Sequence, residues 1–223
     1  MNQKERGIIL KKCLSREHHF VVLSEHHGKI VARTPIQAAP PRLHPGGLIW
    51  CARRSGNGSG YVVLTQEPTK HYFHAHCSDL YWCHHLLEIC YFFAPLDQPA
   101  SELFQFLYES LELATMQHVF GTAWNNVQTL CTALLLIELG FYPPPALCEP
   151  VLGVKKIIAL CLYSKKNFET HDFVGTYFPA FCMPCFTELD SWILGCIHSH
   201  PRVAQFKTLT FMYNHPQRIK RGT

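Results

Sequence analysis

Charge and long apolar runs are both scarce in this sequence. Only 16% of its 223 residues are charged, against about 25% in typical globular domains. The longest apolar stretch, 130–141, has 12 residues and includes Thr132 and Glu138, whereas a membrane-spanning helix needs about 20 residues. The N-terminus, Met1 to Arg6, is polar, and the apolar core of a signal peptide is missing. These features exclude a membrane span, and we expect a cytoplasmic, nucleoid-associated protein.

Enzyme signatures are also missing. The sequence contains no nucleophile elbow, no P-loop, no dinucleotide fingerprint and no paired-carboxylate motif. This favours a protein that is not an enzyme and has no small-molecule substrate. The 11 cysteines are an odd number, and in a reducing compartment they are expected to be buried apolar side chains. Five of them lie in apolar runs: Cys13, Cys51, Cys90, Cys131 and Cys161.

The segment 1–75 has the pattern of short strands joined by turns. Five strands are predicted, at 7–14, 20–24, 30–34, 48–53 and 61–65. The turn before the third strand contains Gly28, for which we predict a positive φ. Five short strands in about 70 residues are typical of a small barrel.

Beyond Cys77 the apolar period becomes helical. Leu80, Cys83, Leu87 and Cys90 fall on one helix face. Ser101 is a plausible N-cap for a second helix, and further helices are expected after residue 121 and over 187–198; the run 154–163 fits either a strand or a helix. The predicted class is α+β, with a barrel domain at 1–76 and a helical domain at 77–223.

Positive charge is concentrated in the predicted barrel. Residues 1–70 carry 11 Lys/Arg against 4 Asp/Glu, a net charge of +7, whereas the remainder carries −3. A basic barrel with exposed aromatic side chains is suited to single-stranded nucleic acid, because cations neutralise phosphates and rings stack on bases. The candidate stacking residues are Phe20, Trp50, Tyr61 and Phe73, although several of them must be barrel core.

Two motifs have metal-ligand spacing. His74 and His76 form an HxH pair of the kind that seats a catalytic metal, which leaves open a metal-dependent hydrolase. Cys182 and Cys185 form a single CxxC, and Cys148 lies alone, far upstream of them. A structural zinc site needs four ligands, so these three thiols are one ligand short of a zinc site, and packed or surface thiols are the alternative.

The order of these segments resembles the RecO family of bacterial recombination mediators. Residues 7–10 look like the first barrel strand of that family, 21–30 like its second strand, turn and third strand, and 61–67 like its fifth strand. Residues 103–107 resemble its second helix, and 134–148 resemble the approach to its zinc-binding insertion. The resemblance covers residues 5–150 in order and extends more loosely to 181–185.

The resemblance implies an N-terminal OB-fold, a helical C-terminal domain and no catalytic turnover. It implies binding to single- and double-stranded DNA, annealing of complementary strands, and recombinase loading with RecR and the single-strand-binding protein. We predict DNA contacts at Lys11, Lys12, Arg16, Lys29, Arg33, Arg53 and Arg54.

Two departures from the family pattern matter. Val151 replaces one cysteine of the zinc-binding insertion expected around 148–185, and loop 34–45 is poor in Lys and Arg. The alternative function is therefore a protein-interaction module on the same fold, with weak or no DNA binding.

Overall fold

The computed structural model describes residues 4–13, 18–35, 43–53, 60–66, 77–115, 117–148, 151–153, 186–209 and 212. The chain divides into two compact units. One unit comprises residues 1–108 together with 208–223, and the other comprises 109–207.

Five strands form a closed barrel at the start of the chain, which confirms the predicted number of strands. They are β1 (Lys4–Lys12), β2 (His19–Ser24), β3 (Gly28–Arg33), β4 (Leu48–Arg53) and β5 (Tyr61–Gln66). The strand order around the barrel is β1-β2-β3-β5-β4, and β4 returns to β1. Every pair is antiparallel except β3 with β5, which is parallel.

The barrel core consists of apolar side chains at alternate strand positions, as expected where one face of each strand is buried. Ile9, Val22, Ile30 and Ile49 contribute to it, and each is at most 1% exposed. Between Ile9 and Lys11 the register of β1 against β2 shifts by one residue. This bulge changes which residues of β1 face outward after Ile9.

The β2–β3 turn contains Gly28 with a φ of +68°, as the sequence predicts. A Cβ atom built on Gly28 would lie 1.9 Å from the carbonyl oxygen of Gln98. Glycine is therefore required here for two reasons: the left-handed backbone conformation and the close approach of a second backbone segment.

Helices follow the barrel in the chain. The main ones are α1 (Cys77–Phe93), α2 (Ser101–Ala114), α3 (Gln117–Phe120), α4 (Trp124–Glu138) and α5 (Phe186–His198), with shorter turns at Gly121–Ala123 and Val203–Gln205. Among the described residues, no helix combines the length and the apolar character needed to cross a membrane.

Helix α1 buries the stripe that its spacing predicts. Cys83, Leu87 and Cys90 are at most 4% exposed, whereas Leu80 is only half-buried. At the start of α2, the carbonyl of Ala100 accepts the first helical hydrogen bond, from the Phe104 amide. Ser101 is therefore the first residue inside the helix and not its cap.

A buried polar network attaches residue 208 to α1 within the first unit. Both the amide and the hydroxyl of Thr208 donate to Glu88 Oε2, at 3.0 and 2.6 Å. His85 Nδ1 lies 2.8 Å from the same hydroxyl oxygen. Because the single hydroxyl proton is directed to Glu88, the hydroxyl oxygen must accept, and His85 donates from Nδ1.

The second unit is built around α4. Val127, Leu130 and Leu134 on that helix are completely buried, as their spacing predicts. Thr129 Oγ1 donates a 3.0 Å hydrogen bond to Asp190 Oδ1 and so connects α4 with α5.

The predicted domain boundary after residue 76 coincides with the start of α1, although the two compact units divide the chain inside α2. Independent folding of domains 1–76 and 77–223 stays a prediction. Residues 154–163 lie outside the described residues, as does most of the predicted insertion at 148–185.

Candidate nucleic-acid interface

Strand register places several cations along a line of neighbouring strand ends. Lys12 of β1 lies opposite Phe20 of β2, and Phe20 lies opposite Ala32 of β3. Ala32 pairs in turn with Tyr61 of β5, which pairs with Arg53 of β4. One continuous row of paired residues therefore crosses all five strands.

We call the cations on this line and one position beside it the basic row: Lys12, Arg33, Arg53 and Lys4. Arg33 is opposite His19 and next to the line, and Lys4 is opposite Ala52, beside Arg53. Lys4, Lys12 and Arg53 are exposed, and Arg33 is half-buried. The row winds around the barrel, since it begins at the last residue of β1 and returns to that strand at its first residue.

Three members of the row were predicted as DNA contacts, and Lys4 was not. Its position beside Arg53 depends on the pairing of β1 with β4. No sequence pattern indicates that pairing, because it arises only when the barrel closes.

Tyr61 lies on the line of the row and points into the barrel, where it is 8% exposed. Burial raises the pKa of its phenol, and the carboxylate of Glu5 adds to that effect. The charge of Arg53 acts in the opposite direction and lowers the pKa. Tyr61 therefore stays neutral at physiological pH, and the row keeps its positive character.

Two chain connections begin at the row. The β1–β2 connection follows Lys12, and the β4–β5 connection follows Arg53. Arg16 and Arg54 fall within these connections in the sequence but lie outside the described residues. Their assignment as DNA contacts stays a prediction.

Lys11 lies next to the Lys12 end of the row, on the outer face of the barrel. It is opposite Val21, which is opposite Val31. Lys11 is exposed, and Val31 is 47% exposed. On the outer face of β1, β2 and β3, the cation of Lys11 thus lies beside the apolar side chains of Val21 and Val31.

Lys29 lies at the other end of β3 from Arg33 and binds α1. Its Nζ donates a 2.8 Å hydrogen bond to the carbonyl oxygen of Tyr91, one of the last four carbonyls of the helix. Its backbone amide donates to Pro95, and its carbonyl accepts from the Asp97 amide. An ammonium at this position satisfies an otherwise unpaired carbonyl and complements the negative end of the helix dipole. Lys29 therefore has a structural partner, a role that the sequence did not indicate.

Tyr91 is an aromatic residue that sequence reasoning missed. Lys11 Nζ lies 4.4 Å from the centroid of its ring, and Lys29 Nζ lies 6.0 Å from it. No local sequence signal identifies Tyr91, because both cations belong to barrel strands that are distant from it in the chain. The structure places the aromatic residues predicted from the sequence as follows. Phe20 and Tyr61 are in the barrel core, Trp50 is half-buried, and Phe73 lies outside the described residues.

Acidic groups near the start of β1 already have partners within the protein. The carboxylate of Glu5 is 3% exposed and accepts a hydrogen bond from the Ser24 hydroxyl. His27 Nδ1 lies 3.0 Å from both Glu5 oxygens, and the His27 ring lies 5.5 Å from that of Tyr61. Since a carboxylate engages its Nδ1, this histidine is poorly placed to bind phosphate.

Arg6 is also used internally. It forms two hydrogen bonds to the Glu25 carboxylate, at 3.0 and 2.8 Å. This guanidinium holds the pKa of Glu25 below its usual value. The pair removes one cation of the barrel from the charge available to a ligand.

The metal hypotheses concern residues that lie almost entirely outside the described part of the chain. Cys148 is half-buried, and Cys182, Cys185, His74 and His76 lie outside the described residues. Within the described ranges, no group of three or more His, Cys, Asp and Glu side chains could hold a metal ion. Zinc binding at the three cysteines and hydrolysis at the histidines both stay predictions.

Several cysteines are buried thiols, as expected. Cys51, Cys90 and Cys131 are completely buried, and Cys13 is half-buried. Burial raises the pKa of Cys51 and of Cys83 to about 12. These two thiols therefore stay protonated and unreactive near neutral pH.

Comparison with known proteins adds no assignment. No family model matches the chain, and no curated protein matches it at a significant level.

Proposed function

We propose that the protein binds single-stranded DNA along the basic row of its barrel. The observation that carries this proposal is the register of four cations on adjacent lines of paired residues: Lys12 and Arg53 end the line that crosses all five strands, and Arg33 and Lys4 lie on the next line, through Val62 and Ala52. Neighbouring strands are about 4.8 Å apart, so these cations form a curved path that a phosphate backbone can follow. Counterion release on phosphate neutralisation supplies the affinity.

The barrel topology supports an OB-fold assignment within this proposal. OB-folds are five-stranded Greek-key barrels that bind oligonucleotides on strands 2 and 3 and on the loops after strands 1 and 4. Arg33 lies on the third strand, and Lys11 is paired with the second. The two connections that contain Arg16 and Arg54 follow the first and fourth strands.

The proposed biological role is that of a recombination mediator of the RecO type. The protein would hold two DNA strands close enough to pair, bind duplex as well as single strands, and act in DNA repair with RecR and the single-strand-binding protein. The helical part would dock the protein partners. This step depends on the resemblance of residues 5–150 to that family, and it requires no catalytic residue and no cofactor.

The experiment is single-strand binding as a function of salt, with annealing of complementary strands followed in the same samples. The quantity measured is the slope of the logarithm of the binding constant against the logarithm of the salt concentration. The four cations of the basic row together with Lys11 predict a slope of about −3.5, and contacts by Arg16 and Arg54 as well would bring it to about −5. Lys12→Met should make the slope less steep by about 0.7. Arg202→Gln, an exposed cation of the other unit, is the matched control and should leave the slope unchanged.

Each outcome is decisive for one part of the proposal. Binding with the expected slope and faster annealing would support the mediator role. Binding without annealing would keep the nucleic-acid site and remove the mediator role. No binding in low salt would refute both.

The second candidate is a protein-interaction module. Val31 and Leu64, on strands β3 and β5, are 47% and 44% exposed, so the barrel offers apolar side chains to a partner. A chain that binds neither single strands nor duplex in low salt, and that binds purified RecR, would favour this function.

A further inference from the structure

We propose that Tyr91 is a stacking platform for one base of the bound strand, with Lys11 as the cation for the adjoining phosphate. The inference rests on the proposed function and adds a base-contacting position to it. Tyr91 belongs to α1, outside the barrel strands that hold the aromatic candidates Phe20, Trp50 and Tyr61.

The position of Tyr91 relative to the barrel is the first argument. Lys11 Nζ lies 4.4 Å from the ring centroid, so the ring is at the outer face of β1. Lys11 is opposite Val21, and Val21 is opposite the exposed Val31. A DNA strand that follows the basic row past Lys12 therefore reaches Lys11 and Tyr91 next.

The state of the ring is the second argument. Tyr91 is half-buried and its edge meets the ring of Phe92, with centroids 4.9 Å apart at 78°. This contact favours one orientation of the ring. Lys11 is an exposed side chain over this partly accessible ring, so its ammonium can move from the ring to a phosphate and leave the ring face to the adjoining base.

The charge around the ring is the third argument. Tyr91 is in the last turn of α1, where the helix dipole is negative and would repel a phosphate. The ammonium of Lys29 donates to the Tyr91 carbonyl at 2.8 Å and offsets that charge. Lys29 thereby makes the end of α1 compatible with a polyanion, and its predicted contact with DNA stays a prediction.

If a base stacks on Tyr91, the affinity for a strand should depend on whether the strand carries bases. Binding through phosphates alone has no such dependence. We would compare an oligothymidine with an oligonucleotide of equal length whose residues are abasic, since both carry the same charge. Loss of a stacking contact costs about five-fold or more in affinity. The wild-type protein should therefore bind the abasic strand at least about five-fold more weakly, with the same salt slope.

Substitution of the ring assigns the effect to Tyr91. Tyr91→Leu should remove the difference between the two oligonucleotides, and Tyr91→Phe should retain it, because phenylalanine preserves the ring. Duplex affinity should be unchanged in both variants, since duplex bases are already stacked. Tyr81→Leu is the matched control: Tyr81 is 44% exposed on the same helix, and its substitution should leave the base dependence intact.

The outcomes separate this inference from the proposed function. Equal binding of the thymidine and abasic strands by the wild-type protein would overturn the platform and keep the basic row. A base dependence that persists in Tyr91→Leu would also overturn it, since another ring would then be responsible. Failure of both oligonucleotides to bind would refute the proposed function itself. Equal binding of the two strands by the wild-type protein overturns the platform even if Tyr91→Leu does not fold.

Discussion

Replacing Lys29 with methionine distinguishes a helix cap from a DNA contact. Methionine retains most of the aliphatic stem and removes only the ammonium that donates to Tyr91 at 2.8 Å. A hydrogen bond from a charged donor contributes about 1.5–3 kcal/mol, and a cation at a helix C-terminus about 0.3–1 kcal/mol. Because both figures describe the same contact and Lys29 is half-buried, we expect a loss of about 1–2 kcal/mol in the free energy of unfolding.

The assay is urea denaturation of the full chain, combined with the salt dependence of single-strand binding. With a slope of about 2 kcal/mol per molar urea, the midpoint should fall by about 0.5–1 M. The salt slope of DNA binding should not change. Lys12→Met is the comparison: it should leave the free energy of unfolding within about 0.5 kcal/mol of wild type and reduce the salt slope by about 0.7. An unaltered midpoint for Lys29→Met, together with a reduced salt slope, would refute the capping role.

Two further predictions concern the barrel. Gly28→Ala should destabilise the protein by about 2 kcal/mol or more, since alanine must adopt a φ of +68° and its Cβ would displace the Gln98 backbone; a thermal midpoint equal to wild type would contradict this. Arg6 lowers the pKa of Glu25, so the pair stabilises the fold at neutral pH and loses its effect as pH falls through the lowered pKa. Glu25→Gln should therefore cost about 0.2–1 kcal/mol at pH 7 and nothing once Glu25 is protonated, as measured by denaturation across pH.

The strands were predictable because each depends on a local pattern. Alternating apolar residues such as Val22, Ile30 and Ile49 indicate a buried strand face without knowledge of its neighbours. Gly28 was predictable for the same reason, since a turn between two such strands needs a residue with positive φ. The bulge after Ile9 was not, because it depends on how β1 pairs with β2.

The helices were predictable in position and less so at their ends. Spacing identifies the buried stripe of α1, including Cys83 and Leu87. The residue that begins α2 depends on which carbonyl accepts the first hydrogen bond, and Ser101 and Ala100 are both compatible with the sequence pattern. Helix ends are set by one or two contacts, so a pattern cannot locate them to the residue.

The candidate site was predictable in composition and not in geometry. A charge of +7 over residues 1–70 favours nucleic acid, but the count treats every cation as available. In the structure Arg6 is paired with Glu25, and Lys29 is bound to the end of α1. Each of these partners lies on another element of the fold, so the sequence alone does not reveal them.

This internal use of charge has a quantitative consequence for the interface. Cations already paired within the protein release fewer counterions on binding, because their field is partly neutralised before the ligand arrives. The salt slope therefore measures the cations that remain available, namely the basic row, Lys11 and whichever of Arg16 and Arg54 contact phosphate. We expect a slope near −5 if Arg16 and Arg54 both contact phosphate and near −3.5 if neither does, so a titration of the wild-type protein beside Arg16→Gln and Arg54→Gln measures what these two arginines contribute.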